Sequence, residues 1–161
     1  FSKDEMKKDF DALRASSSIP LLSPIVHINS MELLDGGVAD PIPIRKSLQD
    51  GNRKNVIVLT RNRDYSKKPV RFYRLFQSKY RKYPELLNAI RNRHVVYNET
   101  LRFIEALERD GSAIVIRPSK PLQVDRLEKN PEKLLELYDN GYQDTEELLE
   151  RINTFSTATN R

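Results

Sequence analysis

The sequence predicts an α/β fold with a mainly parallel sheet and a helical C-terminal extension. Two apolar runs, residues 55–60 and 113–116, are continuous rather than alternating, which is typical of strands covered on both faces. Strand-like and helix-like segments alternate along the 161 residues, as they do in proteins with parallel sheets. No apolar run approaches the roughly 20 residues of a membrane-spanning helix.

The residue types limit the chemistry. The chain has no cysteine and only two histidines, so we expect no disulfide, no thiolate site and no metal cluster. Phe1 rather than Met opens the chain, so either the N-terminus has been trimmed or the chain is a piece of a longer protein.

Short elements are predicted for the first 60 residues. They are a helix at 4–14, strands at 25–28 and 32–34, a helix at 44–50 and a strand at 55–60. Met6, Phe10 and Leu13 recur at helical spacing in the first of these. Gly51 is a suitable C-cap for the second helix. Because strand, helix and strand follow one another over 32–60, this segment is predicted to be a crossover unit with parallel strands.

Helices dominate the prediction for the remainder. Helical segments are expected at 70–82, 84–93, 95–110, 131–140 and 144–153, with one strand at 113–116. Pro84 and Pro131 suit the first position of a helix, where a missing N–H costs nothing. Gly111 and Gly141 are expected to end helices. His94 is expected to be exposed between two of them.

The positive charge is concentrated in one region. Residues 61–98 carry 11 basic and 2 acidic side chains, whereas residues 1–60 are neutral overall and residues 99–161 have a net charge of −4. Aromatic residues are interleaved with the cations over 61–82. Three interpretations stay open: a solvated helix face with inward aromatics, an anionic lipid surface, or a single-stranded nucleic acid. No nucleic-acid motif is present, so we expect no nucleic-acid partner. The residues predicted to contact an anionic surface are Arg71, Arg74, Lys79, Arg81 and Lys82.

The tripeptide Asp35-Gly36-Gly37 is the candidate for chemistry. It follows a predicted strand, at the edge where open α/β sheets keep their active sites. The alternative is an ordinary turn, because Asp-Gly is also a common hairpin signal. Asp40 could pair with Asp35, but Pro41 follows it directly, so we expect Asp40 to be a turn or cap residue.

The order of several short motifs resembles the second half of a patatin-like phospholipase domain. These are the segments 15–20, 34–38, 40–43 and 56–61. Later segments look like the C-terminal extension of bacterial patatin-like esterases, namely 97–98, 114–119 and 138–142. The resemblance implies a three-layer α/β/α fold, no cofactor and a lipid or ester substrate.

The resemblance further implies a Ser–Asp dyad hydrolase. In that family the Asp of the D-G-[AG] motif, here Asp35, is the general base for a Ser in a G-x-S-x-G turn. A Ser hydroxyl is a poor nucleophile until a positioned base takes its proton. Gly36 and Gly37 would let the backbone turn and bring the carboxylate close to that Ser.

The G-x-S-x-G motif itself is absent. The residues two positions after the five glycines are Val38, Ala39, Arg53, Ala113 and Gln143. The family places its nucleophile and Gly-rich oxyanion loop before D-G-G, and the residues that precede Asp35 contain no glycine. No glycine frames Ser16, Ser17 or Ser18, so these are poor substitutes. We therefore expect the nucleophile and the oxyanion hole to lie outside this chain, which would be inactive alone.

Several expectations follow from this interpretation. The chain is a C-terminal fragment of a bacterial patatin-like protein, cytoplasmic or peripheral to the membrane. It pairs with its missing N-terminal half, or forms a dimer that covers the exposed face. The alternative is a non-enzymatic module that binds a membrane or a partner through residues 61–82. The predicted divisions are the catalytic α/β part at 1–61, the basic helical segment at 62–94, the extension at 95–155 and a disordered tail at 156–161.

Overall fold

Short helices and strands follow one another in the computed structural model, which describes residues 10–124 and 128–157. The elements are, in order, α1 (Asp11–Ser16), β1 (Val26–Ile28), β2 (Met31–Leu33), a 3-10 turn (Gly36–Val38), α2 (Ile44–Gln49), β3 (Asn55–Val58), α3 (Tyr73–Lys79), α4 (Pro84–Arg109), β4 (Ala113–Ile116), α5 (Pro131–Glu146) and α6 (Leu149–Thr157). The fold is therefore mixed α/β with a small parallel sheet. The described residues within 1–43 and 67–99 form one compact unit, and those within 44–66 and 100–161 form another.

A β-hairpin opens the first unit. Strands β1 and β2 pair antiparallel, with His27 opposite Glu32. The two turn residues, Asn29 and Ser30, have φ angles of 47° and 68°. Two consecutive positive φ angles are what a tight hairpin turn requires. The predicted crossover over 32–60 is therefore wrong: β2 pairs with β1, and β3 pairs elsewhere.

Tyr80 is the centre of the first unit's core. Its side chain is 1% exposed, and its hydroxyl accepts a hydrogen bond from the Leu21 amide at 3.0 Å. Val26 and Ile90 are also buried. Tyr83 donates a hydrogen bond to Glu32 at 2.8 Å, and this bond to a carboxylate raises the pKa of Tyr83 above its usual range. The hairpin is thus connected to the start of α4.

The parallel pair β3–β4 belongs to the second unit. Asn55 lies opposite Ala113 and Val58 opposite Ile116. The first three residues of β4 are buried as predicted, and Ile116 is half-buried. Strand β3 is not covered on both faces, because Val56 and Val58 are exposed. The prediction of two strands from the apolar runs is confirmed. The predicted burial of β3 is wrong, because burial depends on which elements pack against a strand.

Glycine conformation decides where the helices end. Gly51 and Gly111 adopt φ angles of +89° and +79°, and α2 and α4 end just before them, which confirms both predicted ends. Gly141 has no positive φ, and α5 continues through it to Glu146, so the predicted end there is wrong. Nothing interrupts the chain at His94 either. The helices predicted at 84–93 and 95–110 are one helix, α4, in which His94 is half-buried.

The other predicted boundaries shift by a few residues. Helix α3 is shorter than the predicted 70–82, and α1 ends at Ser16. The predicted helix at 4–14 begins outside the described residues. Helix α6 includes Ser156 and Thr157, which the sequence had assigned to the tail, and the rest of that tail also lies outside the described residues. Over residues 10–124 and 128–157, none of the helices has the length and apolar character that a membrane crossing requires.

Candidate active site

The Asp35 carboxylate is held by its own loop in the first unit. Its Oδ1 accepts a hydrogen bond from the Gly37 amide at 2.7 Å, at the start of the 3-10 turn. The Asp35 amide donates to the Ser18 carbonyl at 2.9 Å, which connects this loop to the end of α1. Asp35 is half-buried and follows the hairpin rather than a parallel strand, contrary to the prediction. The loop geometry thus fixes one carboxylate oxygen.

A side chain at position 37 would crowd the Asp35 carboxylate. A Cβ atom built there would lie 3.0 Å from Asp35 Oδ1 and 3.5 Å from an Arg93 guanidinium nitrogen. The same construction at Gly36 meets nothing within 4 Å. Neither residue has a positive φ angle. Gly37 therefore keeps space free beside the carboxylate, and neither glycine supplies the positive-φ freedom that we expected of both.

Arg93 holds the loop from the other side. It projects from α4, is half-buried, and its Nε donates a hydrogen bond to the Gly37 carbonyl at 2.6 Å. In the sequence, Arg93 is one of the 11 basic residues of 61–98, and no separate role was predicted for it. No local signal could have paired it with Gly37, because the two are 56 positions apart.

One oxygen of the Asp35 carboxylate has no hydrogen-bond partner among the described residues. Within the described residues, the Gly37 amide is the only hydrogen-bond donor to this carboxylate, and no cation forms an ion pair with it. A carboxylate with one fixed and one available oxygen can accept a proton in a defined direction. Asp40 is exposed, and its amide donates to the Gly36 carbonyl at 3.0 Å, as expected for a turn residue.

The three consecutive serines lie at the end of α1. Ser18 is 4% exposed, and its hydroxyl donates to the Arg14 carbonyl at 2.7 Å. The Ser17 hydroxyl donates to the Leu13 carbonyl at 3.0 Å. These are the contacts of serines that satisfy the last carbonyl groups of a helix. The hydroxyl groups of Ser17 and Ser18 are thus engaged by the helix and are not paired with a base.

The predicted anionic-surface residues form an exposed set. Arg71, Arg74, Lys79, Arg81 and Lys82 are all exposed. Residues 67–82, which we call the basic segment, carry seven basic and no acidic side chains. Its aromatics divide: Tyr80 is buried, Tyr73 and Phe76 are half-buried, and Phe72 is exposed. The inward packing of aromatics thus accounts for most of them but not for Phe72.

A charge cluster and a cavity lie in the second unit. Glu108 accepts hydrogen bonds from Arg117 at 2.6 Å and from Arg63 at 3.0 Å.

A cavity of about 170 Å³ lies at the C-terminal ends of β3 and β4, lined by Val58 and Ile116 among others. Neither the ion pairs of Glu108 nor this cavity was predicted from the sequence. Among the described residues, no group of three or more His, Asp and Glu side chains could hold a metal ion.

Two family models match parts of the chain. Residues 10–48 match the patatin-like phospholipase model. Residues 83–156 match a model described as a domain of unknown function (DUF6363). The segment 10–48 is similar to patatin-like phospholipases. That similarity supports the family suggested by the sequence motifs and a lipid-hydrolase relationship for this segment, which contains the loop of Asp35.

Searches beyond the family models add no relative. No curated protein and no solved structure gives a significant match to the chain.

Proposed function

We propose that this chain supplies the general base of a patatin-like serine acyl hydrolase that cleaves lipid or other carboxylic esters. The observation that carries the proposal is the orientation of the Asp35 carboxylate, in which Oδ1 accepts a hydrogen bond from the Gly37 amide. The second oxygen is proposed to take the serine proton. The patatin-like match over residues 10–48 supports the same class of enzyme. A part of the three-layer α/β/α fold of that family would surround the loop.

In the proposed first half-reaction, Asp35 activates a serine. The available carboxylate oxygen takes the hydroxyl proton as the serine oxygen bonds to the ester carbonyl carbon. The tetrahedral intermediate then collapses, the carbon–oxygen bond to the alcohol breaks, and Asp35 returns the proton to the departing alkoxide. The products are a free alcohol and an acyl-enzyme.

The second half-reaction regenerates the enzyme. Asp35 takes a proton from water, and the water oxygen attacks the acyl carbon. The bond to the serine oxygen breaks, the acid is released, and the proton returns to the serine. One carboxylate thus acts as base and acid in turn, as dyad chemistry requires.

Arg93 and Gly37 act as positioning residues in this proposal. The Arg93 hydrogen bond fixes the Gly37 carbonyl, and the Gly37 amide orients the carboxylate. Correct orientation of a base contributes to the rate because the reacting atoms meet already aligned. Neither residue is proposed to contact the reacting atoms.

The nucleophile and the oxyanion donors are proposed to lie outside these residues. None of the five glycines is followed two positions later by serine, and the hydroxyl groups of Ser17 and Ser18 bond to helix carbonyls. A base without a nucleophile and oxyanion donors has little to catalyse. The isolated chain should therefore lack esterase activity.

Turnover of a soluble p-nitrophenyl ester tests the proposal. In the natural protein that contains this chain, Asp35→Asn should lower kcat by about 10²–10⁴-fold, the usual contribution of a general base. Asp40→Asn is the matched control, because Asp40 is an exposed carboxylate of the same loop, and it should leave kcat unchanged.

Two results would overturn the proposal. One is an Asp35→Asn variant with full activity. The other is activity in the isolated chain that is lost when Ser16, Ser17 or Ser18 is changed to alanine.

A further inference from the structure

The basic segment exposes apolar side chains among its cations. Phe72 is 72% exposed and Leu75 is 59% exposed, in a stretch without an acidic residue. Phe72 is the residue directly before α3, and Leu75 lies in the first turn of that helix. Cations around a small aromatic and aliphatic pair are the composition of a surface that meets a lipid interface.

The backbone at Phe72 adds a second observation. Phe72 has φ 56° and ψ 37°, a left-handed conformation that is uncommon for bulky residues. Such conformations cost energy and are found mostly at functional sites. The ring is exposed, and the Arg71 guanidinium, which lies 5.6 Å from the ring centroid, belongs to the basic segment itself. Packing against the rest of the described protein therefore offsets little of this cost. The strained turn instead places an aromatic ring where an external surface can reach it.

The segment is held firmly at several points. The Asn98 side chain accepts a hydrogen bond from the Lys67 amide at 2.8 Å and donates one to the Lys67 carbonyl at 3.0 Å. The Tyr73 hydroxyl donates to the Leu87 carbonyl at 3.0 Å, and Tyr80 is buried in the core. Phe72 and Leu75 are therefore displayed by an anchored turn.

We propose that the basic segment docks on the surface of an anionic lipid bilayer. Phe72 and Leu75 enter the boundary between headgroups and acyl chains, while the surrounding cations face lipid phosphates. An aliphatic anchor favours a bilayer over a nucleic acid, since Leu75 offers nothing for a base to stack on. This inference goes beyond the proposed hydrolysis, because docking requires neither a nucleophile nor an ester bond.

Vesicle co-sedimentation of the 161-residue chain tests the proposal. Binding is expected to vesicles of phosphatidylcholine with phosphatidylglycerol, to be weak with phosphatidylcholine alone, and to fall as salt is added. Arg71→Glu with Arg74→Glu should weaken binding by more than about tenfold, because each basic residue contributes about fivefold.

The apolar anchors have a matched control. Leu75→Ser should weaken binding several-fold, as should Phe72→Ser. Leu135→Ser should not, because Leu135 is 62% exposed on α5, outside the basic segment. Circular dichroism of each variant verifies that the fold persists.

Three outcomes would overturn the docking proposal. They are equal binding to neutral vesicles, equal loss in Leu135→Ser, and binding of single-stranded RNA without binding of anionic vesicles. Hydrolysis of the soluble ester in the natural protein is measured separately, so failure of docking leaves the hydrolase proposal intact, and the converse also holds.

Discussion

The space beside the Asp35 carboxylate limits which residue can stand at position 37. A Cβ at position 37 would lie 3.0 Å from Oδ1, closer than ordinary packing permits. The carboxylate would have to move, and its hydrogen bond to the Gly37 amide would be strained. Gly36 has open space around it. Two neighbouring glycines of one motif thus differ sharply in how replaceable they are.

Urea unfolding of two alanine variants tests this difference. Gly37→Ala should lower the free energy of unfolding by about 0.5–1.5 kcal/mol, the usual net contribution of one hydrogen bond, because the Asp35 carboxylate must shift away from the Gly37 amide. Gly36→Ala should stay within about 0.5 kcal/mol of the unchanged protein, because its φ angle suits alanine. Equal effects of the two substitutions would contradict the account of this loop.

Among the elements, α4 positions both surfaces of the first unit for which we propose a function. Arg93 on this helix holds the Gly37 carbonyl, and Asn98 holds the backbone of Lys67 through two hydrogen bonds. The sequence predicted helix on both sides of His94 and a break at that residue. Propensity does not require a break there, because no Pro or Gly lies between Pro84 and Arg109.

Limited trypsin digestion tests the Asn98 clamp. Asn98→Ala removes both hydrogen bonds, so the start of the basic segment should open more often, and cleavage after Lys67 should accelerate by about tenfold or more. Mass spectrometry of the fragment ending at Lys67 gives the rate. Asn88→Ala, on the same helix but exposed, is the control and should leave that rate unchanged. A rate in Asn98→Ala equal to that of the control would show that the clamp is unimportant.

The strands of this protein could be predicted from the sequence, but the partner of each strand could be predicted only in part. Apolar runs located β3 and β4, and their parallel pairing agrees with the predicted sheet type. The partner of β2 was wrong because the turn at Asn29 and Ser30 lacks the glycine that usually marks a tight hairpin. Local composition identifies the strands. Which strands pair depends on turn conformations, and the residues of this turn do not indicate its conformation.

For the whole molecule, the sequence predicted the class of fold but not the assembly of the site. The mixed α/β character and the similarity of residues 10–48 to patatin-like phospholipases agree with the early motifs. The support of Asp35 by Arg93 could not be predicted, since contact between positions so far apart arises only from tertiary packing. The predicted role of Asp35 itself stays a proposal.

Covalent labelling of the natural protein by a fluorophosphonate tests whether Asp35 activates a serine. The reagent modifies a serine only where a base activates it, so peptide mass spectrometry identifies the nucleophile. The account predicts one labelled serine outside residues 1–161, with labelling strongly slowed by Asp35→Asn and unaffected by Asp40→Asn. Labelling of a serine within this chain, or a rate independent of Asp35, would contradict it.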